Sequence, residues 1–358
     1  MTVRSVAEIV DGIQSIDPRW ISRARERTGQ LAIPPRALGR LHDIAERCCA
    51  IQRTLQPDVG SKAVLVMAGD HGVAADGVSA FPQEVTGAMV QNFLAGGAGI
   101  NAIARHVNAG VWVVDMGMIP EVDPLTVAGG ENFKVRKVAK GTASFMKGPA
   151  MTRAQAEQAI MTGFELGAEQ FEAGVQIIGT GDMGIANTTP SAAIGAAITG
   201  ADLQEMVGRG TGVDDQGLAR KKKVIADGLE LNRPDPADGI DVLSKVGGFE
   251  IGGIAGLILA GAYHRHPVVI DGFISTAGAL IAKALCPRVV EYIFAGHQSE
   301  EPGHRIMLQH LGLRPILDLG MRLGEGTGGA LAMGVIEGAV KVFNEVMTFE
   351  EAGVPGKI

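Results

Sequence analysis

Several things are scarce in this chain of 358 residues, and each scarcity closes off a class of function. Of its three cysteines, Cys48 and Cys49 are adjacent and Cys286 stands alone. Neither a disulfide framework nor a C-x-x-C metal motif can be built from them, so buried small hydrophobes are the expected role. Aromatic residues make up 4% and the formal charge is -7, whereas a nucleic-acid surface needs basic patches and stacking rings. The longest uncharged apolar stretches, around residues 252–263 and 192–201, fall well short of the ~20 residues of a membrane-crossing helix. The first residues, MTVRSVAEIVDGIQ, lack a basic start followed by an apolar segment, so no secretion signal is read there and a cytoplasmic enzyme is expected.

Glycine, by contrast, is abundant. The 51 glycines are about twice average usage and imply many tight turns and close backbone approaches. Short apolar runs recur and end in small or polar residues: AVLVMAGD (63–70), VWVVDMG (111–117), VQIIGTG (175–181), PVVIDG (267–272), VEYIFAG (290–296) and PILDLG (315–320). They are continuous rather than alternating, as expected of strands covered on both faces. Helical segments lie between them. Residues 152–172 open with a capping box, Thr152 and Gln155, and carry Ala156, Ile160, Phe164 and Phe171 at helical spacing. This alternation predicts an α/β fold with a doubly wound, mainly parallel Rossmann-like sheet of about six strands.

The two ends read as helical. Leu38, Leu41, Ile44, Cys48, Ile51 and Leu55 form one stripe after Pro35, and Leu331, Val335, Ala339, Val342 and Val346 form another. A large catalytic domain over residues 61–324 is therefore expected, with a small helical domain formed by 1–60 together with 325–358. In a doubly wound sheet ligands bind beyond the carboxyl ends of the strands.

One loop lies at such an end. VQIIGTGDMGIANTTP contains G-x-G-x-x-G at Gly179, Gly181 and Gly184. A dinucleotide site needs a helix to open at the third glycine and an acidic residue closing the next strand about 20 residues on. Here Asn187, Thr188, Thr189 and Pro190 intervene, and Asp202 follows a segment without strand character. A nest for a single phosphate, with the threonine hydroxyls at a helix start, fits better than a dinucleotide site. An NAD-dependent dehydrogenase is the alternative, and a tight structural turn is the bland reading.

Glu325, among Gly324, Gly326, Gly328 and Gly329, follows the run PILDLG and so falls on the same binding edge. Asp70 and His71 end another strand, with His297 and His304 as candidate metal partners, but their spacing matches no metal motif, so no metal is expected. Lys221, Lys222 and Lys223 ordinarily make a solvated helix face, though one of them could reach a phosphate.

The stretches AGDHGVAADGVSAFPQEVT, GTGDMGIANTTPSAAI, GRGTGVDD, GGFEIGGIAGLILAGA, VIDGFISTAGALIA, HQSEEPGH and LGMRLGEGTGGALAM resemble those of nicotinate-nucleotide:dimethylbenzimidazole phosphoribosyltransferases, nearly end to end. The resemblance implies transfer of phosphoribose from nicotinate mononucleotide to 5,6-dimethylbenzimidazole in assembly of the cobalamin lower ligand. It implies a homodimer acting on small molecules, without cofactor or metal. The general base of the R-L-G-E-G motif corresponds to Glu325. The family's second acidic residue, usually glutamate, corresponds to Asp182, one methylene shorter. The benzimidazole slot corresponds to Phe81, Met89, Met183 and Leu323, of which the first two are polar in some members. Phosphoribosyl and nicotinate contacts correspond to Gly181, Asp182, Gly184, Asn187, Thr188, Thr189, Gly210, Lys221 and Ser299. On this reading, a valine at Gly184 is expected to crowd the phosphate.

Overall fold

The computed structural model describes residues 5–355. Eight strands occur among them: β1 Lys62–Gly69, β2 Ala109–Gly117, β3 Phe133–Val135, β4 Ile177–Met183, β5 Val268–Ile270, β6 Ile293–Ala295, β7 His297–Ser299 and β8 Leu317–Met321. Six form one sheet in the order β3-β2-β1-β4-β5-β6 with every pairing parallel. From β1 the chain winds outward to β3, then returns and winds the other way from β4 to β6. The switch therefore falls between β1 and β4, where Met67 pairs with Asp182 and Ala68 with Met183 at the carboxyl ends. A crevice is expected there.

The continuous apolar runs form buried strands because helices cover both faces. All eight residues of β1 are buried. One covering helix, Phe249–His264, is buried continuously through Ala262, as a helix apolar on every side must be. The helix Arg153–Glu172 packs against it and starts as its capping box requires. The Gln155 amide donates to Thr152 Oγ1 at 3.2 Å, and the Thr152 amide donates to Gln155 Oε1 at 3.0 Å.

The strand count of six holds, but the membership differs from expectation. PILDLG is not in the main sheet: β8 pairs only with β7 in a separate two-stranded sheet. Its Asp318, Leu319 and Gly320 are exposed, so it never acquires the two-sided cover that its apolar start suggested. The sixth strand of the main sheet is β3, a short edge segment, Phe-Lys-Val, without an apolar run. The run at 175–181 is shifted two residues, so that β4 ends at Met183 rather than Gly181.

The terminal stripes also need correction. The first helix of that region to carry the stripe is Arg40–Gln52, because Arg36 and Gly39 adopt left-handed backbone and break the turn before it. Leu38 is left exposed. In the helix Thr327–Glu345 the buried face runs through Met333, Ile336, Ala339, Val340 and Phe343, not through Leu331, Val335 and Val342. The cause is double cover: Met333 reaches β4 at Gly179, while Phe343 lies under the guanidinium of Arg27 from the helix Pro18–Gln30. No helix among the described residues is long and apolar enough to cross a membrane.

Candidate active site

The glycines of G-x-G-x-x-G have separate tasks. Gly179 and Gly181 lie inside β4, not in a loop. A Cβ on Gly181 would come 2.5 Å from the backbone oxygen of Glu325, so glycine here lets the Glu325 segment lie directly on the sheet. Only Gly184 belongs to the turn, closed by the Asn187 amide donating to the Gly184 carbonyl at 3.0 Å. The helix Thr188–Thr199 follows. With two of the three glycines inside the strand, the dinucleotide reading loses its loop. A Cβ at Gly184 would meet the Gly69 carbonyl at 2.4 Å and His71 Nε2 at 3.2 Å. Gly184→Val is therefore expected to force β1 and β4 apart, costing about 1–3 kcal/mol of stability. A fall in unfolding midpoint together with weakened ligand affinity checks this; a loss of affinity alone restores the crowding explanation.

A cavity of about 600 Å³ opens at this turn, beyond the ends of β4, β5 and β7. Phe81, Met89, Met183 and Leu323 line it together, joined by Val85, Ile185 and Phe273, which the sequence had not suggested. Phe81 and Leu323 stand at the mouth, 50% and 60% exposed. Asp182, Gly184, Asn187, Thr188, Gly210, Ser299 and Glu325 line it as well. Gly181, Thr189 and Lys221 do not: Gly181 lies under the Glu325 backbone, Lys221 stands behind Thr188, and Thr189 is fully buried.

Glu325 occupies an unusual backbone. Gly324, Glu325 and Gly326 have φ of 84°, 63° and 92°, three left-handed residues in succession. Two glycines adopt this freely, but a glutamate does so at a cost of about 1–2 kcal/mol. The segment is closed by Thr327, whose amide and hydroxyl both donate to the Gly324 carbonyl, at 3.1 and 2.8 Å. The side chain is buried, and its Oε2 accepts the Ile100 amide at 3.0 Å at the start of the helix Gly99–His106. Burial pushes the Glu325 carboxyl above the usual range; the Ile100 amide opposes, and the charge of Asp271 adds to the rise.

Asp182 is buried and accepts a hydrogen bond from Asn187 Nδ2 at 2.9 Å. Burial first, then the nearby Asp271, push its carboxyl up to about 8, so it is largely protonated at neutral pH. Asp271, just past β5, was not foreseen; it is buried at the cavity floor and tied to the Glu325 segment by hydrogen bonds.

The polar end is built from another set. Of the three lysines, Lys221 turns inward, 1% exposed, and its Nζ donates to Thr188 Oγ1 at 2.8 Å and to the Gly208 carbonyl at 3.3 Å. Lys222 and Lys223 bond to Gln204 and Asp227 on the outer face. Burial lowers Lys221 to about 8, with Glu301 pulling the other way. Glu301, also not foreseen, accepts the Gly210 amide at 2.9 Å. Helical phase would have picked Lys221, which shares a face with the buried Gly217, Val224, Ile225 and Gly228.

His297 and His304 have ring centroids 6.2 Å apart, but His71 pairs elsewhere. His71 Nε2 lies 2.8 Å from Glu250 Oε1 in a fully buried pair. His304 Nδ1 accepts the Ser299 amide at 2.8 Å, which leaves Nε2 to donate to Thr276 Oγ1 at 2.9 Å. Burial pulls His304 down to about 3, so it is a neutral strut under Ser299. Among the described residues no group of His, Cys, Asp or Glu is arranged to hold a metal ion.

An apolar slot with a raised carboxylate at one end and a buried lysine with a threonine hydroxyl near the other suits a flat heteroaromatic and an anionic sugar phosphate. A family profile described as Phosphoribosyltransferase matches residues 13–354. Nicotinate-nucleotide–dimethylbenzimidazole phosphoribosyltransferase of Citrifermentans bemidjiense is 54% identical over 342 residues, covering 96% of each chain. The protein of the same name from Geobacter sulfurreducens is 54% identical over 349 residues, covering 98% of each. The crystal structure of the so-named enzyme from Thermus thermophilus superposes with a TM-score of 0.89 at 44% identity, over 96% of this chain and 100% of that one. On profile, sequence and fold alike, the chain belongs to the nicotinate-nucleotide:dimethylbenzimidazole phosphoribosyltransferase family.

Proposed function

We propose that this enzyme transfers the 5-phosphoribosyl group of nicotinate mononucleotide to 5,6-dimethylbenzimidazole, giving alpha-ribazole 5'-phosphate and nicotinate, as a step in assembly of the cobalamin lower ligand. The observation that carries the reading is the joining, in one cavity, of Glu325 and an apolar slot with the turn at Thr188 that Lys221 backs. The benzimidazole lies between Phe81, Met89, Met183 and Leu323. The phosphate sits at the turn, near Gly184, Asn187, Thr188 and Gly210, with Thr189 and Lys221 behind and Ser299 across the cavity.

In the substrate, the pyridine nitrogen bonded to C1' is cationic. As the C1'–N bond breaks, its electron pair returns to that nitrogen, and neutral pyridine leaves without needing an acid. The free imidazole nitrogen attacks C1' from the opposite face, inverting beta to alpha. The alkylated ring then carries a positive charge and loses its remaining N–H proton to the Glu325 carboxylate. A raised carboxyl is the better base for this, provided it is ionised at working pH. Asp182, protonated at neutral pH, adds no second charge beside that base and can donate a hydrogen bond to bound substrate.

The test mixes nicotinate mononucleotide with a panel of benzimidazoles, without added metal, and looks for the ribotide by mass. Saturable binding without released nicotinate would make the chain a binding module. Met89→Ser is expected to lower kcat/KM for dimethylbenzimidazole about 3- to 10-fold relative to unsubstituted benzimidazole, since the two extra methyls lose an apolar wall worth about 1 kcal/mol. An unchanged ratio removes Met89 from the slot. A homodimer in the cytoplasm and a small helical unit of both termini complete the reading. Sedimentation tests the assembly; the first four and last three residues of that helical unit lie outside the described residues.

A further inference from the structure

Glu325 is held in a backbone conformation that it would not choose, and the holding group comes from elsewhere in the chain. Asp271 projects from the carboxyl end of β5, and its two oxygens accept different amides of the segment following Glu325. Oδ2 takes Gly326 N at 3.2 Å and Oδ1 takes Gly329 N at 2.9 Å. Those amides belong to the first turn of the helix Thr327–Glu345, whose cap residue Gly326 has no side chain to satisfy them. His297, beyond β6, sets its Nε2 3.7 Å from Asp271 Oδ1. Asp271, just past β5, and His297, at the start of β7, are both buried.

We infer that Asp271 is a positioning residue for the proposed transfer, fixing Glu325 in its left-handed conformation by clamping the two amides that follow it. The inference rests on Glu325 as the base. Burial raises the Asp271 carboxyl itself, while His297 and the amides it clamps favour its ionised form; ionised, Asp271 adds to the rise of the Glu325 carboxyl. The other groups acting on Glu325 are Asp182 at the end of β4 and the amides of Gly99 and Ile100; His297 and Arg322 line the same cavity.

Asp271→Asn keeps the shape but turns an NH2 group toward one of the two amide donors, breaking half the clamp, and it removes the charge. The expected result is a fall in kcat of about 10- to 100-fold, the equivalent of losing a charge-assisted hydrogen bond. KM for both substrates changes little, and the acidic limb of kcat moves to lower pH. In the double variant with Glu325→Gln, kcat lies no more than about 3-fold below Glu325→Gln alone, since a residue acting through another has nothing left to position. Hydrogen exchange at residues 324–329 quickens in Asp271→Asn. Asp271→Ser, read in parallel, guards against a variant that merely misfolds. Fully additive losses, an unshifted pH profile or unchanged exchange at 324–329 would each overturn the inference. An active Glu325→Gln would instead overturn the general-base reading, leaving the exchange measurement to report on the clamp by itself.

Discussion

Glu325→Gln is expected to lower kcat by about 10²- to 10⁴-fold, roughly 3 to 5 kcal/mol of transition-state stabilisation, and to leave both KM values nearly as they are. Glutamine is close to isosteric, and its amide oxygen can still accept the Ile100 N–H that steadies the native carboxylate. The left-handed turn, closed by Thr327 and tied to Asp271, does not depend on the side chain at 325. What is removed is the capacity to take a proton. The pH dependence carries the same signature. Burial raises the Glu325 carboxyl above the usual range, so the active, ionised form is lost as pH falls through that elevated value. The acidic limb of the wild-type kcat profile should therefore lie above the ordinary glutamate range of about 4.3, and it should vanish in the variant. A change confined to KM would make Glu325 a binding residue.

Much of this was legible in the chain, for reasons that differ between fold and site. Strands buried on both faces write themselves as continuous apolar runs, so β1, β2, β4, β5 and β6 could be found one by one. A run does not say which sheet it joins, which is why PILDLG was counted with the main sheet and β3 was missed. The site divides in the same way. The glycine turn with Thr188 and Thr189 declares itself because its chemistry and spacing are visible together, whereas Asp182 and Asn187 entered as contacts only through the family resemblance. Asp271 and Gly326 are neighbours only after β5 and the last helix are laid side by side, and nothing local connects them. The Ile100 amide that bonds Glu325 is backbone, which no composition records. Gly181 was legible as a glycine, but the close approach of the Glu325 segment to the sheet that it permits was not.

Lys221→Met should separate the cost of building the phosphate end from its use. The ammonium is buried against Thr188 Oγ1 and the Gly208 carbonyl, and among the described residues it forms no ion pair with a carboxylate. Lowered from 10.5 to about 8 by that burial, it binds its proton less tightly in the folded chain than in the unfolded one. Between those values the unfolded state holds more protons, so folding stability rises with pH across that window. Below about 8 the folded state bears the full penalty, roughly 3 kcal/mol for such a difference. Methionine has similar length and no charge; it relieves that penalty but leaves two acceptors without a donor, a loss of comparable size. The unfolding midpoint of the free enzyme should hold or rise. Binding should behave oppositely. Lys221 stands behind Thr188, so its ammonium acts on the phosphate by charge across that hydroxyl, worth about 1.5–3 kcal/mol at an effective dielectric of ~20, and KM for nicotinate mononucleotide should increase about 10- to 150-fold while kcat at saturation changes far less. In the wild type the same KM should climb as pH passes about 8 and the ammonium discharges, and ligand binding above that pH should take up a proton, measurable by calorimetry in buffers of different ionisation enthalpy. The variant should lose both effects together. A variant that binds nicotinate mononucleotide as the wild type does, with its pH dependence intact, would leave Lys221 as a structural prop for Thr188 and require another cation to hold the phosphate.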